Sequence, residues 1–279
     1  MNAPQTNSIQ SFISVGRIPP LNPTMLALLQ ALDSSESDAD DLQKLILADA
    51  NTSATILKIA NSPFYGMNKK IQSVRDACVL LGFHSLRNIV YATALESFES
   101  PDEDPTLMPL RDALRQHTRH AAAIAVQLAR QVKLESSTLY TLGLLHELGK
   151  QITLAAAPNR FRQYTETASF DIEAAYQDIS AMCTLGGEVA KSWHLPDLFQ
   201  HCIRFYPAVE RCPQPSQRHT RIIYCAHILA GRAGSLSPGE DLFPPDDNRL
   251  AENLTQAGIT MPIDELLAMA TTALDDNPT

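Results

Sequence analysis

Apolar and polar positions follow each other at the three-to-four-residue period of a helix through most of the chain. Pro23 suits the first turn of a helix with Met25, Leu28, Leu29 and Leu32 as its apolar stripe. Asp38 is a good N-cap for a helix over 41–48, which carries Leu42, Leu45 and Ile46 inward. Thr52 or Ser53 starts another, with Ile56, Leu57 and Ile59 apolar, and Asn61-Ser62-Pro63 ends it. Ser73 and Asp76 form a capping-box-like pair before residues 77–81, which Gly82 closes. Ser85 then caps a longer helix holding Leu86, Ile89, Val90 and Leu95. The acidic, proline-broken run SPDEDP predicts a linker over 101–106. Beyond it, helices are predicted over 110–132, 138–156, 172–193, 198–205, 222–233, 249–257 and 263–274. Residues 234–248, with three prolines and two glycines, read as an irregular excursion.

No stretch alternates at period two for long, and no Asn-Gly or Asp-Gly hairpin turn occurs. The pattern predicts an all-α fold: a flexible arm over 1–17, an N-terminal helical subdomain over 18–100, and a second helical subdomain over 107–279 with a C-terminal extension. Composition changes this picture only by exclusion. A net charge of −9 and a pI near 5.3 weigh against broad attraction to nucleic acid or anionic lipid. No apolar run approaches the roughly 20 residues that span a bilayer, and the N-terminus lacks the charge and apolar core of a secretory signal. Five cysteines without CxxC spacing fit reduced thiols. The expected setting is cytoplasmic.

The chemistry concentrates in LGLLHELGKQI, residues 142–152, where His146 and Glu147 stand side by side in an apolar run. A zinc-protease helix needs a second histidine one turn after the first, and that position is Lys150. A metal-dependent phosphohydrolase of the HD type needs several His and Asp ligands. One upstream candidate exists. On the helix over 110–132, His117 shares a stripe with Leu114, Ala121, Ile124, Leu128 and Val132, whereas His120 falls off that stripe towards solvent. Two inward histidines on neighbouring helices could meet as metal ligands or as hydrogen-bonded core residues. His194, His201, Cys202, Cys212 and His219 have no recognised ligand spacing and read as scattered core and loop positions.

Residues 56–95 carry a longer signature. Ala60-Asn61-Ser62-Pro63-Phe64-Tyr65-Gly66 is followed by Ile71-Gln72-Ser73-Val74, by Ala77 with Leu81-Gly82, and by Arg87-Asn88. This resembles the HDOD family, HD-related output domains of bacterial signalling proteins. The resemblance runs from about residue 15 to 230 and includes the opening IPPLNP at 18–23. It puts His117 on the first HD-ligand position and matches HELGK to His-Asp-x-Gly-Lys, with Glu147 where an active enzyme has Asp. Later positions depart: Met182 stands on a ligand position, residues 202–207 stand where paired histidines can occur, and His227 lies roughly where the final Asp belongs.

The resemblance therefore implies a non-catalytic regulatory module with a degenerate HD-like half. His117, His146 and Glu147 are vestigial positions, and no metal or cofactor is expected. Expected partners are signalling proteins or a nucleotide second messenger; membranes are not expected, and nucleic acid is disfavoured. Asn61, Tyr65, Arg87 and Lys150 are the candidate ligand or subdomain contacts. Two rivals stay open. One is a phosphohydrolase with an atypical site around His117, His146 and Glu147. The other is a nucleic-acid-binding regulator using Arg111, Arg115, Arg119 and Arg130.

Overall fold

The computed structural model describes residues 23–33, 37–61, 71–96, 104–168, 171–240 and 246–275, and most of those residues are helical, with no strand among them. The all-α expectation holds. Expectations for the arm, for the opening at 18–22, and for Phe64, Tyr65 and Gly66 lie outside the described residues, as do 101–103 of the linker.

Four helices come first: α1 (Pro23–Asp33), α2 (Ala39–Leu47), α3 (Ala50–Ala60) and α4 (Val74–Glu96). Asp38 caps α2 as expected, accepting from the backbone N–H groups of Asp40 and Asp41 at 2.9 Å each. Ser73 Oγ accepts from the Asp76 N–H at 3.0 Å, the forward half of the predicted capping box. Gly82, at φ 72° and ψ 165°, is non-helical and divides α4 into two helical stretches at the point where the sequence places the end of the first. The predicted stripes are buried: Met25, Leu28, Leu29 and Leu32 on α1, Leu42 and Ile46 on α2, Ile56 on α3, and Leu86, Ile89 and Val90 on α4.

After a single 3₁₀ turn, Pro105–Leu107, come α5 (Met108–Gln131), α6 (Ser136–Leu145), α7 (Leu148–Ala156), α8 (Pro158–Ala168) and α9 (Ile172–Ser192). Then follow α10 (Asp197–Phe205), a second 3₁₀ segment (Tyr206–Arg211), α11 (Gln214–Arg232), α12 (Asp247–Ala257) and α13 (Ile263–Asp275). The N-terminal helices join this set through α4, which packs on α6. There the buried Asn88 side chain donates to Ser137 Oγ at 2.9 Å, and the Tyr91 ring meets Phe199 edge-on at 5.0 Å.

Three differences from the sequence reading matter. Residues 138–156 are two helices, α6 and α7, broken at His146 and Glu147. α8 was not anticipated, although Pro158 at its start and Phe161, Tyr164 and Ala168 on one buried face carry the usual signals. His120 is buried, because α5 packs against α6, α11 and α13 and so has a wider covered arc than one stripe.

Candidate functional site

α5, α6 and α7 and the end of α11 meet at one point, and two glycines let them come so close. A Cβ on Gly143 of α6 would fall 2.4 Å from Ala122 Cα of α5, inside any tolerable contact. A Cβ on Gly149 of α7 would fall 1.7 Å from the Met182 carbonyl oxygen of α9. With α7 pressed onto the backbone of α9, the chain turns between Leu145 and Leu148. His146 and Glu147 then project into the junction from the turn instead of from a continuous helix face. α5 supplies His117, one turn into α7 stands Lys150, and α11 supplies His227.

The three histidines face one another. His117 Nε2 lies 2.8 Å and His146 Nε2 3.2 Å from His227 Nδ1. Each ring is fixed at its other nitrogen. His117 Nδ1 lies 2.6 Å from the Ser235 carbonyl, His146 Nδ1 2.6 Å from the Gly143 carbonyl, and His227 Nε2 2.8 Å from Glu240 Oε2. Carbonyl and carboxylate oxygens only accept, so these outer nitrogens carry the protons. The Nε2 atoms of His117 and His146 are therefore lone pairs, both aimed at His227 Nδ1. Three lone pairs facing one another at these distances would repel. With no other cation, a proton on His227 Nδ1 donates to the two neighbours.

Burial pushes His117 down to about 4 and His146 down to about 3, so both are neutral near pH 7. Burial also works against a charged His227, but the Glu240 carboxylate beside it holds it above its ordinary value. Glu147 is buried, which alone would raise its carboxyl. The Lys150 ammonium at 2.8 Å, helped by the surrounding imidazoles, holds it well below the usual carboxylate range. Lys150, buried too, is kept charged by Glu147 and by Glu240 Oε1 at 2.6 Å. Glu240 is brought down to about 2 by His227 and Lys150 despite its burial. Two carboxylates thus face Lys150 and His227 in a buried interior, each group favouring the charged form of its neighbours.

The segment after α11 completes the enclosure. Ser237 Oγ donates to Glu147 Oε1 at 2.7 Å and accepts from Lys150 Nζ at 2.6 Å. The Tyr164 hydroxyl of α8 donates to the Pro238 carbonyl at 3.1 Å. Gly239, at φ +81°, lies flat against the Tyr164 ring, where a Cβ would come within 2.5 Å. Residues 235–240 therefore form a strap across the cluster, pinned by Ser235, Ser237, Pro238 and Glu240. Tyr206 walls the remaining side. Its ring stands edge-on to His146 at 4.9 Å, and its hydroxyl lies 3.4 Å from Glu147 Oε1.

Of the candidates from sequence, the structure brings His117, His146, Glu147 and Lys150 together. Asn61 lies elsewhere: its amide donates to the Leu57 and Ile71 carbonyls and accepts from the Ile71 N–H, tying the end of α3 to the start of the next segment. Arg87 donates to the Leu32 carbonyl at the end of α1. Tyr65 lies outside the described residues. His227, expected only roughly at the last ligand position, is central. Ser237, Glu240 and Tyr164 were not singled out, and no spacing in a proline-glycine loop could have marked the first two. Met182 contributes its backbone to the junction through Gly149.

The donor set fits a divalent metal ion. One ligand atom from each of His117, His146, Glu147 and His227 lies within 4.8 Å of every other, and all four residues are buried. Glu147 Oε2 is buried without a hydrogen-bond partner and lies 4.0 Å from His117 Nε2. Since His117 is neutral near pH 7, that approach is not an ion pair.

The HDOD domain family profile matches residues 18–209. A protein of Treponema pallidum is 24% identical over 221 residues, covering 75% of this chain and 42% of its own length, so the chain spans under half of that relative. Among solved structures, a candidate phosphohydrolase of Shewanella amazonensis SB2B superposes at TM-score 0.70 with 19% identity, covering 98% of this chain and 97% of its own. An HDOD domain protein of unknown function from Geobacter sulfurreducens gives 0.62 with 20% identity, covering 95% and 96%. A candidate signal transduction protein of Marinobacter aquaeolei VT8 gives 0.57 with 19% identity, covering 96% of this chain and 62% of its own. At such identities these likenesses speak for the fold.

Proposed function

Because this chain belongs to the HDOD family, we propose that it is a non-catalytic signal-transduction module, acting by binding a partner protein or a nucleotide second messenger. In this reading residues 18–100 and 107–279 are its two helical subdomains, and a ligand acts by favouring one arrangement of them over another. The observation that carries it is the strap. Lys150, the free cation a phosphoryl group would need, is spent on Glu147, Glu240 and Ser237, and residues 235–240 lie across the cluster. No described helix is long and apolar enough to cross a membrane. The acidic charge of the chain disfavours nucleic acid as the partner.

One observation favours a second reading, a phosphohydrolase: the four donors of His117, His146, Glu147 and His227 converge as a metal-assisted hydrolase requires. An assay separates the two. Untagged protein, supplied in turn with Mn²⁺, Fe²⁺ and Mg²⁺, is tested on phosphomonoesters, phosphodiesters and nucleotides. The non-catalytic reading expects no turnover above that of His117→Ala. Turnover that vanishes in His117→Ala and His146→Ala, with both variants folded, would replace it with the hydrolase.

A further inference from the structure

α12 and α13 both rest on α11, and α13 rests on α5 as well. How α12 ends decides what lies between them. Gly258, at φ 91°, turns the chain out of the helix. Its N–H donates to the Thr255 carbonyl at 3.0 Å, and the Ile259 N–H donates to the Leu254 carbonyl at 2.9 Å. This closure brings Ile259 back beside Leu254, and both are buried. Pro262 then starts the next helix, its carbonyl accepting from the Leu266 N–H at 3.0 Å. Leu254 and Ile259 become the floor of an open groove of about 400 Å³, with Ala251, Met261, Pro262 and Ile263 around it. The groove lies beyond residue 209, where the family profile ends, and nothing in the family signature accounts for it.

We propose that this groove docks a basic amphipathic helix of a partner protein, its apolar side chains in the groove and its Lys or Arg side chains over an acidic rim. Charge complementarity selects that occupant. Across residues 246–275 the chain carries Asp246, Asp247, Glu252, Asp264, Glu265 and Asp275 against a single cation, Arg249. Arg249 is engaged elsewhere, 3.5 Å from Glu210 and over the Tyr224 ring at 4.9 Å. Glu252, Asp264 and Glu265 adjoin the lining residues in sequence, are exposed, and form no ion pair among the described residues. An apolar floor with such a rim favours a segment with apolar anchors at helical spacing and cations between them. Nucleic acid and anionic lipid would meet the same rim with like charge.

The groove is also built before anything enters it. Arg218 of α11 donates to the Ala257 carbonyl at 3.1 Å, and the Gln131 amide of α5 meets Met261 Sδ at 3.8 Å. A fixed groove loses little freedom on binding, which favours affinity. The same contacts tie it to the helices that carry His117 and His227. A helix seated here thus bears on the outer side of the polar cluster. The inference deepens the non-catalytic reading by placing its protein partner, and it rests on that reading for its purpose. Turnover in the phosphatase assay would remove the reading and leave the groove, whereas a groove that binds no helix would leave the reading and remove this surface.

The test pans a phage library of random peptides of about 18 residues, five helical turns, against the untagged whole chain. Enriched peptides are then labelled with fluorescein and titrated by anisotropy. Winners are expected to carry apolar residues three and four apart with Lys or Arg between them, and to bind more weakly as salt rises. Ala251→Arg puts a long cation at the mouth of the groove on an exposed helix position. It should weaken binding by about 10-fold or more and leave the melting temperature unchanged. Asp264→Asn with Glu265→Gln should weaken it by about 3–10-fold and flatten the salt dependence. No enrichment, acidic winners, or undiminished binding to folded Ala251→Arg overturns the proposal. If Ala251→Arg does not fold, Thr255→Arg, also exposed and lining the groove, decides in the same way. Self-association of the wild-type chain by sedimentation, abolished by the same substitution, would give the groove to a second copy and overturn it too.

Discussion

The two ends of the molecule bury different things. α1–α4 close over a core of leucine, isoleucine, methionine and valine, with Thr52, Asn88 and Thr93 as the buried polar residues described there. Around the meeting point of α5, α6, α7 and α11, the interior instead holds three histidines, two glutamates, a lysine and Ser237. Dispersion and the hydrophobic effect suffice in the first region, and volume is what a mutation there disturbs. In the second, every charge needs its partner, and the desolvation cost is offset only while the whole set is intact.

The largest expected effect sharpens that contrast. Lys150→Met leaves Glu147 and Glu240 buried without their cation and should cost about 3–5 kcal/mol of unfolding free energy. Removing both carboxylates as well, in Lys150→Met/Glu147→Gln/Glu240→Gln, should recover most of the loss. Leu28→Ala on α1 should cost about 2–5 kcal/mol, and no charge change elsewhere should restore it. Equal recovery in the two regions, measured by denaturant unfolding, would erase the distinction.

A steric break comes next. Gly149→Ala forces α7 away from the Met182 carbonyl and should cost about 1–3 kcal/mol or more. It should also disturb the cluster that the turn positions, visible as altered histidine ring signals by NMR. Unchanged signals and stability would mean that the α7–α9 contact does not set the turn.

The regions should also part in acid. In metal-free protein, His117 and His146 sit at about 4 and 3, so the unfolded chain takes up protons below about 6.5 that the folded chain refuses. Stability therefore falls as pH drops through that window, and Glu240, at about 2, adds a further loss below about 4.5. His227 acts in the opposite sense: its contribution is full in acid and fades on the alkaline side of its ordinary value. Unfolding midpoints should thus fall from pH 7 to pH 5, and His117→Asn should flatten the decline. A midpoint that rises in acid would contradict the buried neutral rings. Smaller still, Asn88→Ala at the α4–α6 contact should cost about 1–2 kcal/mol. Arg204→Ala, which breaks a half-exposed pair with Glu188, should cost under about 1 kcal/mol.

The same contrast explains what could be read from the sequence. Apolar periodicity marked α1–α4, α5 and α9 to within a few residues, and the capping residues Asp38 and Ser73 marked their starts. His117 and His146 were legible because each lies on an apolar stripe. The break at His146 was not, since the two glycines of LGLLHELGKQI, Gly143 and Gly149, lie on either side of it, and the turn depends on α7 pressing on α9 through Gly149. His227 joined the cluster only when α11 packed on α5. Ser237 and Glu240 sit in a loop with no period, so tertiary contact alone reveals them.

The central claim is that the strap is locked onto the cluster through Lys150 and Glu240. A double-mutant cycle with Lys150→Met and Glu240→Gln, read by unfolding free energy, tests it most directly. The account predicts a coupling of about 2 kcal/mol or more, as expected for a buried charge pair at 2.6 Å. Additivity within about 0.5 kcal/mol would contradict it.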